Sequence, residues 1–544
     1  MLTTMSPTPL SLASILVRGA TMHAGARVST RRADGTVEQT GFAEIGDGAA
    51  RLAHALSELG VEIGDRVATL LWNDRAHLEA YLAIPAMGAV LHPLNVRLSP
   101  RQLRDILRDA EDRVLIVGAD LLPLVRGAVE EVSTLEHLVV VGDEDAGPAT
   151  IPGVRTHRHA ALVAGRSAAF PWPTIDENSP AALCYTSGTT GNPKGVVYSH
   201  RSMWLHTMQV CMTDGPALRE GDRVLVIVPQ FHAMAWGLPH AAFMIGASLI
   251  LPGPRPRPEH LLDLIASERP TYAAAVPTVW HDILQLDDAN ESTVSPLRTL
   301  RDVQVGGSAT SAATVERFRT RGVNVLQGWG MTETSPLVSM SRPPADSPDD
   351  VTVQYATTQG RLFGAVQARL IGDDGAVVPH DGVSVGEIEL RGPWVTSAYH
   401  RGVDPEAFHD GWLRTGDIGS VDPAGYVRVS DRKKDMIKSG GEWISSIRLE
   451  TEVAADPTIA EVAVIAVADE RWGERPLAVV VPRHNATIDF ARIRDGVARR
   501  LARWETPNLW AQIDALPRTG VGKIDKRSLR ERHGAGAIVV HEVG

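Results

Sequence analysis

Cysteine is nearly absent: in 544 residues only Cys184 and Cys211 occur. Two thiols cannot build a disulfide framework or a cysteine-ligated zinc site, and a reducing cytosol suits them. Long apolar runs are missing too. No window approaches the roughly 20 apolar residues that a membrane-spanning helix needs. The run Leu10–Val17 has no basic stretch before it and is followed by Arg18, which makes it a poor signal peptide. A soluble, cytoplasmic protein is expected. Positive charge is in deficit, since 54 Lys and Arg face 65 Asp and Glu for a net charge of −11. Without a basic field, a nucleic-acid partner held through its phosphates is disfavoured, although a local anion site is not. Internal repeats and low-complexity tracts are lacking as well. What remains is ordinary globular material, 44% apolar and 22% charged, in a chain long enough for two or more domains.

The densest chemistry lies in Tyr185-Thr186-Ser187-Gly188-Thr189-Thr190-Gly191-Asn192-Pro193-Lys194-Gly195, between an apolar run and a helix expected from Ser199. Glycines let backbone N–H groups face inward, while hydroxyls and an ammonium add donors aimed at an anion. Such a stretch is either a phosphate cradle or a Gly/Ser/Thr surface loop. It is not a P-loop of the G-x-x-x-x-G-K-[ST] kind, because Lys194 is followed by Gly195.

Apolar spacing along Gly41–Gly60, then short apolar strands alternating with helices, gives the rhythm of a parallel sheet with helical crossovers. Gly142–His159 reads as a connection. The rhythm resumes with strand Ala181–Tyr185 and continues to strand Val303–Val305. In open α/β sheets ligands sit beyond the carboxyl ends of strands, so the loops Gln230–Trp236, Gly306–Thr310 and Gln327–Pro336 are the ones to watch. After the Pro/Asp-rich connector Arg342–Asp350, short alternating strands suggest an antiparallel piece. A basic knot, Asp431-Arg432-Lys433-Lys434-Asp435, precedes helices at Ile447–Ala455, Phe490–Trp504 and Lys526–Glu531 mixed with strands, enough for a small α+β domain.

YTSGTTGNPKG, FHAMAWG, GGSA, QGWGMTETSP, WLRTGDIG, DRKKDMIKSGGEWIS and PRTGVGKIDK follow one another in this order over about 340 residues. With these motifs the chain resembles the adenylate-forming superfamily of acyl-CoA synthetases, luciferases and nonribosomal adenylation domains. It is most similar there to medium- and long-chain fatty acyl-CoA ligases and methylmercaptopropionyl-CoA ligases. The resemblance implies an α/β plus α+β fold: a large domain, residues 1–432, of stacked mainly parallel sheets with a small antiparallel subdomain, then a small mobile domain, residues 433–544. It implies a carboxylate attacking the α-phosphate of Mg-ATP, followed by coenzyme A displacing AMP.

Residue by residue, the resemblance implies that Thr186, Ser187, Gly188, Thr189, Thr190 and Lys194 clamp the β- and γ-phosphates. Thr332 and Glu333 would contact phosphate and ligate Mg²⁺, a hard cation suited to one carboxylate plus phosphate oxygens. Gln327, Gly328, Trp329, Gly330 and Met331 would form the adenine side, with Gly307 and Ser308 lining the other side of the purine and the acyl pocket. Asp417 would take the ribose hydroxyls, with Arg432 as its partner. Lys523 would bridge the acyl carboxylate and the phosphoryl group in adenylation only; a lone lysine in a turn is otherwise a solvated side chain. Lys434, where many relatives carry Asp, would be the hinge. Lys438, Gly440, Gly441, Glu442, Trp443 and Glu474 would form the coenzyme A surface. His232, Trp236 and Pro336 would wall the acyl pocket. An amino-acid substrate would need an acid near Ala233-Met234-Ala235 for its ammonium, so an uncharged tail is expected, with Trp280, Met331 and Leu337 adding apolar surface. Alternatives are an enzyme loading a carrier protein and a non-catalytic nucleotide-binding homologue; many members of the resembled superfamily are dimers, which leaves a homodimer open.

Overall fold

A computed structural model of the chain describes residues 4–142, 151–186, 193–289, 294–345, 347–440, 442–483, 486–519 and 523–543. Ser187, Gly188, Thr189, Thr190 and Gly441 lie outside the described residues. Two compact units form, one from Met1–Gln367 with Arg391–Leu413, the other from Ala368–Leu390 with Arg414–Gly544.

The first unit holds two sheets. Among the described residues one runs in the order Arg155–Arg158, His137–Val141, Val114–Gly118, Arg66–Leu70, Val90–Pro93, Pro180–Thr186, Lys194–Ser199. The pairs are parallel except the last, which is an antiparallel hairpin. The second sheet runs from Gly360–Leu362 through Leu337–Met340, Asn324–Gly330, Asp302–Gly306, Tyr272–Ala275, Arg223–Val226 and Ser248–Leu251 to Arg27–Arg31 and Val37–Gly41. It is parallel from Asn324–Gly330 to Arg27–Arg31 and antiparallel on either side of that run.

Helices cover these sheets because their apolar stripes have nowhere else to go. Pro100–Ala110 starts at Ser99, whose hydroxyl accepts from Gln102 N–H while Gln102 returns a bond to Ser99 N–H. This capping box satisfies two donors that a helix start leaves open, and Leu103, Ile106 and Leu107 then face Leu115 and Val117 in one core cluster. Leu12–Met22, the apolar run near the N-terminus, is such a helix, with Leu12, Ile15 and Leu16 fully buried. Trp280 belongs to the core as well. It is fully buried, lies edge-on to Phe318 with centroids 5.4 Å apart and donates to the Gln304 carbonyl at 3.2 Å, so packing accounts for it without a substrate.

Two readings of the sequence are revised in this unit. The stretch taken as a connection to His159 contains strand Arg155–Arg158, whose alternating polar residues sit at a sheet edge. The glycine-rich stretch leads not directly into a helix but into strand Lys194–Ser199, made by Val196, Val197 and Tyr198, residues that fit a pleated surface. Helix His200–Cys211 follows, capped by Ser199 accepting from Ser202 N–H at 3.0 Å, as expected.

Most of the antiparallel pairs Gln367–Ile371 with Val377–Val378 and Trp412–Val421 with Tyr426–Arg432 falls in the second unit, which also holds a C-terminal α+β layer. The layer is built on the long hairpin Ile459–Asp469 and Gly473–Pro482. Strand alternation sends Val462 and Val464 into one core cluster and Ala463, Ile465 and Val467 into another, so both faces of the hairpin are covered. The helix expected to reach Trp504 ends at Ala498. Beyond it Arg475 donates to the carbonyls of Trp504 at 2.7 Å and Thr506 at 3.2 Å.

Candidate active site

In the first unit the expected residues collect at the carboxyl ends of strands. Strand Asn324–Gly330 carries Gln327, Gly328 and Trp329 and delivers the chain to a single 3-10 turn, Thr332–Thr334. That turn needs Gly330, because a Cβ there would stand 1.8 Å from the Pro336 carbonyl oxygen. The Met331 N–H donates to Thr334 Oγ1 at 2.9 Å and to the Pro336 carbonyl at 3.1 Å, closing the loop on itself. Neighbouring elements then clamp it. Tyr198 donates its hydroxyl to the Thr332 carbonyl at 2.5 Å, and Thr396 N–H donates to the Glu333 carbonyl at 2.8 Å.

Glu333 is 6% exposed and accepts the Tyr399 hydroxyl on Oε1 at 2.7 Å. Burial, then the Glu333 charge, pushes the Tyr399 phenol upward, so it stays protonated and acts as a donor. Lys194 lies 5.0 Å over the Tyr399 ring and is paired with Asp404. One tyrosine therefore stands between the cation at the end of the glycine-rich stretch and the carboxylate of the Thr332–Thr334 turn. Thr186, across the hairpin, is register partner to Lys194. Below it, Tyr185 donates to Asp109 at 2.5 Å, and a buried His92–Asp112 pair at 2.7 Å lies under the Tyr185 ring.

Gly307 and Ser308 follow strand Asp302–Gly306. Gln327 ties them to the adjacent strand, accepting from Thr310 N–H and donating to the Ser308 carbonyl, both at 3.0 Å. The Trp236 ring approaches Gly306 so closely that a Cβ there would meet it at 3.0 Å. Trp236 comes from an unusual segment: Ala233, Met234, Ala235 and Trp236 are all left-handed, with φ between 37° and 54°, and Gly237 follows at 77°. A left-handed L-residue costs about 1–2 kcal/mol, so the run must be held from outside. Tyr81 donates to the Met234 carbonyl at 3.1 Å, and a Cβ on Gly237 would meet His206 Nδ1 at 2.9 Å. His232 precedes the run, its carbonyl accepting from Ala235 N–H.

Asn73, which sequence reasoning missed, anchors the strand end before this segment. Its Nδ2 donates to the carbonyls of Val226 and Val228 at 2.9 Å, and its Oδ1 accepts from Gln230 N–H at 2.8 Å. Nothing in the local sequence marks it, because Asp74 beside it takes the visible role of helix cap. Asn73→Ala leaves three buried groups unpaired and is expected to lower unfolding free energy by about 3 kcal/mol, measured by urea denaturation. Stability within about 0.5 kcal/mol of wild type would reject this anchoring role.

Three histidines behind the segment are buried and held neutral. Burial lowers His206 and His240 to about 3 and His200 to about 4. His206 Nε2 accepts from Leu337 N–H at 3.1 Å, a bond that requires the unprotonated nitrogen. An unfolded imidazole takes its proton near pH 6.5, so the folded state loses relative stability as pH falls below that value. Each site contributes up to about 1.4 kcal/mol per pH unit. The thermal midpoint is expected to drop steadily from pH 7 to pH 5, and a flat profile there would contradict the buried-neutral assignment.

The second unit carries the remaining expected residues. Asp417 is 3% exposed and pairs with Arg432 Nε at 2.6 Å. Lys434 sits in the turn after Arg432, its ammonium held below its ordinary value by burial. Lys438 and Trp443 face each other across strands Ile437–Ser439 and Glu442–Ile444, with the ammonium 5.2 Å over the indole. Glu474 accepts from Lys438 N–H at 2.8 Å, and a Cβ on Gly440 would meet the Trp472 ring at 2.9 Å. Lys523 lies in a short turn where Arg518 and Ile524 form a bridge and Thr519 N–H donates to the Lys523 carbonyl at 2.7 Å. Glu442, Trp443 and Glu474 thus share one strand system, while Lys523 occupies a separate turn.

Residues 18–400 match the AMP-binding enzyme family, and residues 448–523 match the AMP-binding enzyme C-terminal domain. The 3-methylmercaptopropionyl-CoA ligase of Ruegeria pomeroyi is 41% identical over 537 residues, covering 98% of this chain and 99% of its own. The long-chain-fatty-acid–CoA ligase of Thermus thermophilus is 43% identical, covering 97% of each. The solved anthranilate CoA ligase AuaEII with anthranoyl-AMP superimposes with a TM-score of 0.85 at 26% identity, over 98% of this chain and 99% of that one. Joined to the carboxylate–tyrosine–lysine arrangement at the strand ends, these full-length matches make the chain a member of the AMP-binding enzyme family, the adenylate-forming enzymes that include acyl-CoA ligases.

Proposed function

We propose that the protein is an ATP- and Mg²⁺-dependent, AMP-forming acyl-CoA ligase that activates a carboxylic acid with an uncharged tail, a medium- or long-chain fatty acid or a short methylthio acid. The observation that carries this reading is the pairing of a cation with an uncompensated carboxylate around one tyrosine. Glu333 is buried, yet among the described residues it has no ion-pair partner, while Lys194 stands over the ring of the tyrosine that bonds it. A buried carboxylate without a cation is costly, and Mg²⁺ characteristically binds one or two carboxylates together with substrate phosphates. When bound, Mg²⁺ would neutralise charge developing on the phosphates; Glu333 would hold it and Thr332 would contact phosphate.

The chain's own groups divide the remaining work. Thr186 and Lys194, with the residues between them, take the β- and γ-phosphates. Trp329 and the Gly307–Ser308 turn flank the purine, and the Asp417 carboxylate accepts from the ribose hydroxyls with Arg432 fixing its orientation. Lys523 lies between the acyl carboxylate and the α-phosphate, so that two anions can meet. The carboxylate oxygen bonds to the α-phosphorus and pyrophosphate leaves; the coenzyme A sulfur then attacks the acyl carbon, AMP leaves with the bonding pair, and the thiol proton passes to water. The second step uses Lys438, Gly440–Trp443 and Glu474, with residues 1–432 and 433–544 as the two moving parts and Lys434 as the hinge.

An apolar tail is favoured because the segment assigned to the acyl wall, Ala233, Met234, Ala235 and Trp236, is apolar and buried, and the assigned Pro336 and Leu337 are apolar as well. Relatives named for methylmercaptopropionate, long-chain and medium-chain fatty acids agree with this preference. Cytoplasmic residence fits two cysteines that are unpaired. The test is pyrophosphate release with ATP and a graded series of acids, methylthiopropionate included, followed by AMP release on adding coenzyme A. Pyrophosphate release without coenzyme A-dependent AMP release would replace the ligase reading by carrier-protein loading, and no adenylate from any acid would replace it by nucleotide binding alone.

A further inference from the structure

The segment from Tyr399 to Asp404 crosses the root of the glycine-rich stretch and lies outside all of the motifs. Its approach is close: a Cβ on Gly195 would stand 2.9 Å from the His400 Cβ. Arg401 fastens it on one side, bonding Glu111 at 2.8 Å and lying 3.6 Å from Asp109. On the other side the Tyr399 ring is set edge-on to Phe408, with centroids 5.5 Å apart. Asp404 is left-handed (φ 53°), and its carbonyl accepts from Ala407 N–H at 3.1 Å, so its carboxylate projects from a closed turn.

That carboxylate is paired with Lys194 where both are largely shielded from water, the side chains being 21% and 12% exposed. The Lys194 ammonium also rests over the Tyr399 ring, whose hydroxyl is spent on Glu333. A cation assigned to phosphate therefore has an anion of the protein's own within reach before any nucleotide arrives. Resting on the ligase reading above, we infer that Asp404 is a resident counter-anion for Lys194 that the β- and γ-phosphates of ATP displace. The exchange keeps the lysine extended along the tyrosine face and avoids a bare buried ammonium, but it subtracts the broken ion pair from the affinity for triphosphate. AMP, which lacks the β- and γ-phosphates, does not compete for Lys194 and is not subject to the subtraction.

Calorimetric titration of the full chain with Mg-ATP and with AMP, without acid so that no turnover occurs, tests this. Asp404→Asn removes the charge and keeps the shape; its Kd for ATP is expected to fall about five-fold while its Kd for AMP is unchanged. In a Lys194→Met background the same substitution is expected to change neither constant, since the partner it competes for is gone. An unchanged or weaker ATP affinity in Asp404→Asn, an equal change for AMP, or the same gain in the Lys194→Met background would each overturn the exchange. Those outcomes leave the ligase reading standing, whereas a wild-type chain that binds neither nucleotide overturns the ligase reading and this inference together.

Discussion

Lys523→Ala is expected to lower acyl-adenylate formation by about a hundred- to a thousand-fold while leaving thioester formation from supplied acyl-adenylate nearly unchanged. The asymmetry follows from the charge the lysine is asked to compensate. In the first step a carboxylate approaches a triphosphate, and a cation between them lowers the barrier; in the second, a thiol meets an acyl carbon and no such encounter occurs. Truncation spares the turn, because its geometry is carried by the backbone bond from Thr519 to Lys523, the bond from Asp525 N–H to the Pro517 carbonyl at 2.8 Å, and the Arg518–Glu461 pair at 2.6 Å. Pyrophosphate exchange reads the first half-reaction, and coenzyme A thioester formation from synthetic acyl-adenylate reads the second. Equal loss of both would reject the role given to Lys523.

The second large effect is expected at Glu333. Glu333→Gln keeps an oxygen for the Tyr399 hydroxyl and for the packing around it but removes the negative charge. Adenylation is expected to fall about a hundred-fold, with a raised Mg²⁺ requirement. Stability is expected to move the other way. The native carboxylate is buried without a cationic partner among the described residues, so replacing it by a neutral isostere leaves no uncompensated charge in the site, and the thermal midpoint should hold or rise. A variant that loses activity and unfolds at a lower temperature would mean that Glu333 is a structural residue. One that keeps full activity at low Mg²⁺ would remove it from the metal site.

Some of this arrangement was legible in the order of residues. Periodic helices such as Phe42–Glu58, the Ser199 cap and the antiparallel character of the region after the Arg342–Asp350 connector depend on neighbours within a few positions, where spacing and side-chain type act directly. The Thr332-Glu333 turn and the Asp417–Arg432 pair were also indicated, because their motifs lie in compact runs. The strand Lys194–Ser199 was not, since a glycine-rich stretch and a capped helix start on either side masked three good strand residues.

What sequence alone determined about this protein is therefore its alternation of elements, its membership of a recognisable motif order, and the kinds of groups a phosphate and a hard cation would need. Only the tertiary structure decided which of those groups meet. Tyr399 is 66 residues from Glu333, yet the two share a hydrogen bond, and Lys194 finds Asp404 across an even longer stretch of chain. Asn73 holds a strand end more than 150 residues away. Such pairings come from the packing of sheets and crossovers, which brings strand ends together regardless of their separation along the chain. Local periodicity carries no information about them, because the free energy that forms each pair is set by burial and by the partner the fold supplies.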